Sequence, residues 1–435
     1  MSLLGGWGRF PRVDCKITTA RSEADVRAAI TETPLIARGN GRAYGDAALN
    51  TGATLVMTGM DRMLSFDDDT GVLIAEAGVL LGDIIHTFLP RGWFPMVTPG
   101  TKYVSLGGAI AADIHGKNHH IDGSFRACVD WIDLMGPDGT TRRLTTEDEM
   151  FQWSVGGMGL TGVILRAQIR LRAVETAWIV QETRALTSVA DTIAAFEDTE
   201  DVPYSVAWID CSDGPHHGHS LLLLGRHATQ DDLPPHRAPL EVRHKTKIPV
   251  PFPAPPLIFR GLFLRALNGI YWRRGARKAG ESLVDWDSYF YPLDALRGWN
   301  ILYGRGGFVQ FQCALPNDTA AAGLKELMDT IAEAQTGSVL SVLKRFGPQS
   351  GHVSFPMPGY TLALDFPAND RTLALMDKLD RITLDHGGRF YLAKDARMPE
   401  AVAKSDERWD AFAAMRAKHG LAERFRSVQS ERLGL

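Results

Sequence analysis

Cysteine is scarce, four in 435 residues, and Cys15, Cys128, Cys211 and Cys313 lie far apart with no C-x-x-C pair. A zinc ribbon or a disulfide scaffold needs closer spacing and is excluded. No run of about 20 apolar residues is present to span a bilayer. The first ten residues carry no charged leader ahead of an apolar run, so no signal peptide is expected, and the expected location is the cytoplasm, free or peripheral on the inner face of the membrane. Charge of one sign is missing as well: 47 Lys and Arg face 51 Asp and Glu, a formal charge of -4. That balance disfavours a protein that coats nucleic acid through a general basic surface. There is no internal repeat. What is present is a globular composition, 45% hydrophobic and 23% charged, at a length that suits two domains.

Short apolar runs closed by Gly, Asn or Asp predict strands at 35–38, 54–57 and 72–77. Ser22, with Asp25 three residues on, opens a helix over 22–30, and a second short helix over 82–89 is expected to stop at Pro90. Alternation over 163–171 predicts a strand with one buried face. From about 177 the rhythm changes, with strands at 179–187, 204–211, 221–225, 308–315, 339–344 and 360–366, and helices at 187–198, 318–335 and 371–386. This order predicts an α+β fold in which an antiparallel sheet carries helices on one face. The residues from 389 onward read as mostly helical and charged.

One segment stands apart. Residues 243–278 hold nine Lys or Arg and no Asp or Glu. Five prolines between 249 and 256 rule out a helix or an inner strand there and predict an extended loop. The apolar and basic second half suits a surface that meets lipid or an anionic ligand, or a helix packed through Leu262, Leu264 and Leu267.

The 43 glycines cluster in three places within the first 162 residues: 38–46, 99–120 and 155–162. Glycine lets backbone N–H groups approach a phosphate closely, so such bends can cradle a pyrophosphate. Residues 157–162 match G-x-G-x-x-G letter for letter, but an alternating strand follows where a Rossmann motif would open a helix. A nicotinamide Rossmann domain is therefore disfavoured. His115, His119 and His120 lack Cys or carboxylate partners at metal-ligand spacing, so no metal site is expected.

The stretches GRAYGDAALN, GGAIAADIHGKNHH, GLTGVILRAQI, KRFGP and YLAKDAR, in this order, resemble the vanillyl-alcohol oxidase (p-cresol methylhydroxylase) superfamily of FAD enzymes. Within it they are similar to the branch that oxidises a polyprenyl-phosphoryl ribofuranose. The resemblance implies a cofactor-binding domain over 1–176, a substrate-binding cap over 177–388, and a tail over 389–435 that returns to the first domain. It implies FAD held by Arg38, Gly39, Asn40, Gly41, Arg42, Ala43 and Tyr44 of the first bend. From the second come Pro99, Gly100, Thr101, Gly107, Gly108, Ala111, Ala112, Ile114, His115, Gly116 and Asn118, and from the third Gly157, Gly159, Gly162 and Val163. Relatives that link the flavin covalently use a histidine where this chain has Arg42, so noncovalent FAD is expected.

Lys394, His115 and Tyr44 are the implied catalytic residues. Lys394 would stabilise negative charge on the flavin, and His115, with a pKa near neutrality, would suit proton transfer. Gln310, Gln312, Lys344, Lys394 and Lys117 are the implied substrate residues. Period-2 spacing puts Gln310 and Gln312 on one strand face, and Lys344 with Arg345 would suit a phosphate. The family's tyrosine two residues before the proline of PLD is Phe290 here, with Tyr291 next to it. The implied reaction is oxidation of the sugar's 2-hydroxyl to the 2-keto form, completed to an epimer by an NAD(P)H-dependent reductase partner. A soluble alditol or aldonolactone oxidase using O2 is the alternative.

Overall fold

The computed structural model describes residues 2–242, 245–259, 261–338 and 340–435; Arg243, where the basic segment begins, and Val339, predicted to open a strand, lie outside them. Three sheets organise the chain. A small parallel sheet joins Ile17–Thr19, Thr54–Val56 and Ile36–Arg38, with the Glu23–Glu32 helix packed beside it. Ser22 caps that helix by accepting from the Asp25 N–H at 3.2 Å, and Asp25 accepts in turn from the Arg21 N–H. Leu35 stands just outside the strand, bridged to Phe425 of the tail.

The second sheet is antiparallel, in the order Thr141–Thr145, Val129–Met135, Val163–Ala173, Val72–Glu76, Met63–Phe66, with Trp93–Pro95 also pairing the long strand. Alternating burial along Val163–Ala173 is what the sequence pattern dictates. The helix Leu81–Phe88 ends ahead of Pro90, as expected, and a 3-10 turn, Leu89–Arg91, takes the chain through the proline. Proline fits there because the first positions of a helical turn need no donated N–H.

The third sheet has eight strands, in the order Gly280–Asp285, Trp178–Leu186, Ser220–His227, Tyr204–Ile209, Ser341–Phe346, Gly359–Pro367, Phe308–Pro316, Arg389–Phe390, all antiparallel. The helices Val189–Glu197, Asn317–Glu333 and Asp370–Asp385 cover one face, burying Phe311, Cys313, Leu327, Leu362 and Phe366 among them. The α+β architecture with a large antiparallel sheet is thus the expected one. The opposite face of that sheet turns toward the glycine bends at one end and toward the Gly261–Ala276 helix at the other.

The tail is helical only in part, through Glu400–Ala403, Glu407–Lys418 and Val428–Leu433, with turns between them. Phe412, Phe425 and Leu433 pack in the core that also holds Ile30, Leu35 and Leu55. Residues 389–390 meanwhile pair with Cys313 and Ala314, so the tail ties the third sheet to the first. No described helix is long and apolar enough to cross a membrane.

Candidate active site

The three glycine bends converge. Asn40 donates to the Tyr103 carbonyl at 2.9 Å, joining the first bend to the second. Gly156 and Met158 donate to the Ile110 and Ala111 carbonyls at 3.2 and 2.8 Å, joining the third to the second. Two glycines of the first bend sit in close approaches. A Cβ on Gly45 would stand 2.0 Å from the Asp395 carbonyl oxygen, backbone that cannot give way, and one on Gly39 would stand 2.0 Å from Ser105 Oγ, a side chain that would have to turn aside. Arg38 is occupied structurally, donating to the Gly5 and Ala48 carbonyls at 2.9 and 3.3 Å.

The bends fit an anionic dinucleotide. Arg42 lies 4.1 Å from the Trp7 ring and 5.0 Å from Tyr103, and its Nε is buried with no acceptor. A buried guanidinium donor without a partner is costly unless a ligand supplies the acceptor. Beyond Gly100 there is open space: a Cβ there would meet nothing within 4 Å. Thr101 and the Lys102 N–H donate to the Asp294 carboxylate at 2.8 and 2.9 Å, pinning the second bend to the PLD turn.

Against these bends stands the face of the third sheet. The Tyr44 N–H donates to the Ala393 carbonyl at 2.9 Å, which puts Lys394 beside the first bend, its Nζ 3.7 Å from the Tyr44 ring centre. Burial pushes the Lys394 ammonium down and the Lys344 charge adds to this, while Asp365 opposes it. Asp365, fully buried, is pushed up by the same desolvation and accepts from the Gln310 amide. Gln310 pairs Asp365 across the strands and shares its face with Gln312, as period 2 requires.

Gln312 Nε2 lies 3.1 Å from His115 Nε2 and donates to Thr361 Oγ1 at 3.2 Å. With the amide as donor, His115 Nε2 accepts and Nδ1 carries the proton; Nδ1 is buried without a partner. Phe346, Phe355 and Tyr391 close around the imidazole at 4.8, 5.6 and 5.1 Å. This apolar cage corrects one expectation. Burial first, then the Lys344, His119 and Lys394 charges, hold the His115 pKa well below the ordinary histidine value, so the ring is neutral instead of poised near neutrality.

Lys344 points into the same space. Burial lowers it to about 8, and among the described residues its amine has no hydrogen-bond or ion-pair partner. Arg345 does not join it, which corrects the second expectation. Adjacent strand residues face opposite sides, and Arg345 pairs with Glu200 at 3.1 Å behind the sheet. Lys117 donates to the Tyr289 carbonyl and lies 4.3 Å from that ring, with burial lowering it to about 7. Phe290 is packed away from Lys394 among Phe94 and Tyr204, 5.1 and 5.0 Å off, and the Tyr291 hydroxyl bonds Thr98. His119 and His120 are tied up structurally, by Gln349 at 2.8 Å and the Val202 carbonyl at 3.0 Å. The described residues contain no cluster that could hold a metal ion.

Sequence reasoning missed Asp365 and Asp113. The signal for Asp365 was a carboxylate inside the apolar run Leu362–Phe366. Asp113 is wholly buried under the second bend, accepting from Ser124 at 2.9 Å, Gln349 at 3.2 Å, the Arg126 N–H at 2.9 Å and Ser354. It locks residues 113–126 to the 349–354 loop.

Comparison with known proteins agrees with this geometry. Residues 16–145 match the FAD binding domain family. Decaprenylphosphoryl-beta-D-ribose oxidase of Mycolicibacterium smegmatis is 36% identical over 91% of this chain and 89% of its own. An uncharacterized protein in the mprA 5′ region of Streptomyces coelicolor is 32% identical over 82% of this chain and 100% of its own. An uncharacterized oxidoreductase of Rhodococcoides fascians is 28% identical over 36% of this chain and 37% of its own. Three converging glycine bends, the amines and amides gathered beside them, and this breadth of identity lead to one assignment: the chain belongs to the decaprenylphosphoryl-β-D-ribose oxidase family of FAD-linked oxidoreductases.

Proposed function

We propose that this enzyme oxidises the 2-hydroxyl of a polyprenyl-phosphoryl ribofuranose to the 2-keto sugar, with noncovalently held FAD. In this reading residues 1–176 and the tail 389–435 hold the cofactor, and 177–388 supply the sugar pocket. FAD, when bound, supplies the hydride acceptor. The three bends and Arg42 would hold its diphosphate, and an arginine at that position cannot form the histidyl link of covalent relatives.

The observation that carries the substrate reading is Lys344: a half-buried ammonium without a counter-ion among the described residues, in one space with His115, Gln312 and Lys394. A partly desolvated cation without a partner gains from an anion, and a phosphodiester provides one. Gln312 and neutral His115 would orient the sugar hydroxyl, His115 through its Nδ1–H, which has no acceptor among the described residues and would donate to the hydroxyl oxygen. Lys394, next to Tyr44 and biased by Asp365, keeps positive charge where electron density accumulates during C2–H cleavage. The hydroxyl proton leaves to the Asp365 carboxylate, the base of the pair, while Lys394 stays cationic. Because ketone formation alone leaves the product oxidised, an NAD(P)H-dependent keto-sugar reductase is the partner this reaction calls for.

The test is turnover of the FAD-loaded enzyme with farnesylphosphoryl-β-D-ribofuranose and a quinone or dye. The expected product is lighter by two hydrogens and traps with a carbonyl reagent. Rapid peroxide formation from a free alditol or aldonolactone, with no reaction of the phospho-sugar, would instead establish a soluble O2-using oxidase.

A further inference from the structure

The Gly261–Ala276 helix carries its polar side inward and its apolar side outward. On the inner side Asn268 is buried and donates to Asp210 at 2.7 Å, Arg265 pairs with Asp213, and Trp272 donates to the Ser220 carbonyl at 3.1 Å. Leu264 is the one large aliphatic side chain of the helix that is buried. On the outer side Leu262 is 77% exposed, Phe263 61%, Leu267 40% and Ile270 54%, while Tyr271 turns toward the sheet, 4.8 Å from the Trp208 ring. Spacings of three and four place Phe263, Leu267 and Ile270 on one stripe. The sequence expectation of a helix packed by Leu262, Leu264 and Leu267 is thus met by Leu264 alone. A globular protein gains nothing by solvating such a stripe, so something apolar covers it.

The charge around the stripe says what. Residues 243–278 hold nine Lys or Arg and no Asp or Glu. Arg273, Arg274, Arg277 and Lys278, at the end of the helix, are exposed and make no ion pair among the described residues. The preceding proline-rich strap adds Ile248 and Phe252, 64% and 70% exposed. A second copy docked face to face would oppose two such basic segments, whereas an anionic lipid leaflet complements both features.

The strap also reaches the active site. Lys247 lies 4.2 Å from the Tyr103 ring of the second glycine bend. At its other end Phe259 stacks on Tyr303 at 4.7 Å, Tyr303 on Phe308 at 4.5 Å, and Phe308 meets Tyr44 edge-on at 5.3 Å.

We propose that the strap and helix dock the enzyme on an anionic phospholipid leaflet, apolar side chains at the acyl boundary and basic ones among the headgroups. The docking extends the reading of a lipid-linked substrate, and its test uses no turnover, so either can fail alone. FAD-loaded protein is sedimented with phosphatidylcholine vesicles, with and without about one-third phosphatidylglycerol, at about 0.15 M salt. Binding is expected only to the anionic vesicles. Phe263→Asp with Ile270→Asp is expected to weaken it at least tenfold, with flavin content and melting midpoint unchanged, and Arg273→Glu with Arg274→Glu likewise. Three results overturn the proposal: no sedimentation with the anionic vesicles, undiminished sedimentation of the Phe263→Asp, Ile270→Asp protein, or a dimer by light scattering that this same pair of changes dissociates.

Discussion

Replacing Asp365 by Asn probes the electrostatics of the site with almost no change of shape. Asp365 is fully buried, accepts from the Gln310 amide, and is the charge that holds Lys394 up against burial and against Lys344. An amide keeps the hydrogen-bond acceptor and removes the charge. At an effective dielectric of about 20, a neighbouring unit charge is worth about 2–4 kcal/mol. At about 1.4 kcal/mol per pH unit, Lys394 then loses its proton about 1.5–3 pH units lower. The sign follows from the cation being the working form: the alkaline limb of substrate-driven flavin bleaching moves to lower pH. The assay is anaerobic rapid mixing of FAD-loaded enzyme with phospho-sugar across a pH series. Lys344→Met removes a repelling charge and is expected to move the same limb upward. A limb that stays put in Asp365→Asn, or that moves upward, refutes the assignment of Lys394 as the cation of the site.

Three further outcomes follow from the geometry. Gly45→Ala drives a Cβ into the Asp395 carbonyl and is expected to lower FAD occupancy and the melting midpoint, whereas Gly100→Ala, which meets open space, leaves folding intact; absorbance and thermal melts distinguish them. Burial lowers Lys344 to about 8, so affinity for a phosphorylated sugar is expected to fall as pH rises through that value, well before an ordinary lysine would titrate, and Lys344→Gln should abolish the dependence. Asp113→Asn takes the charge from a buried acceptor shared by Ser124, Gln349, Ser354 and the Arg126 backbone, and is expected to cost about 3 kcal/mol in denaturant unfolding.

Much of this was legible in the sequence because it rests on local rules. The bends at 38–46, 99–120 and 155–162 are local glycine chemistry, and the shared face of Gln310 and Gln312 is strand periodicity. What escaped depends on which strands become neighbours. Asp365 matters because Gly359–Pro367 pairs with Phe308–Pro316, and no spacing within either strand announces that. The His115 pKa failed for the same reason, since its cage comes from Phe346, Phe355 and Tyr391, all more than two hundred residues away in the chain. Arg345 was the avoidable error, because alternation already set it opposite Lys344. The strand Gly280–Asp285 gave no apolar alternation to find, as an edge strand with three exposed residues at its start.

The most direct test of the central claim is a single turnover with farnesylphosphoryl ribofuranose carrying deuterium at C2, mixed without oxygen with the FAD-loaded enzyme. The account predicts that the sugar bleaches the flavin and that deuterium slows the bleaching, because the C2–H bond is the one that breaks. Bleaching at an equal rate with both isotopologues, together with a keto group found at another carbon, or no bleaching at all, would contradict it.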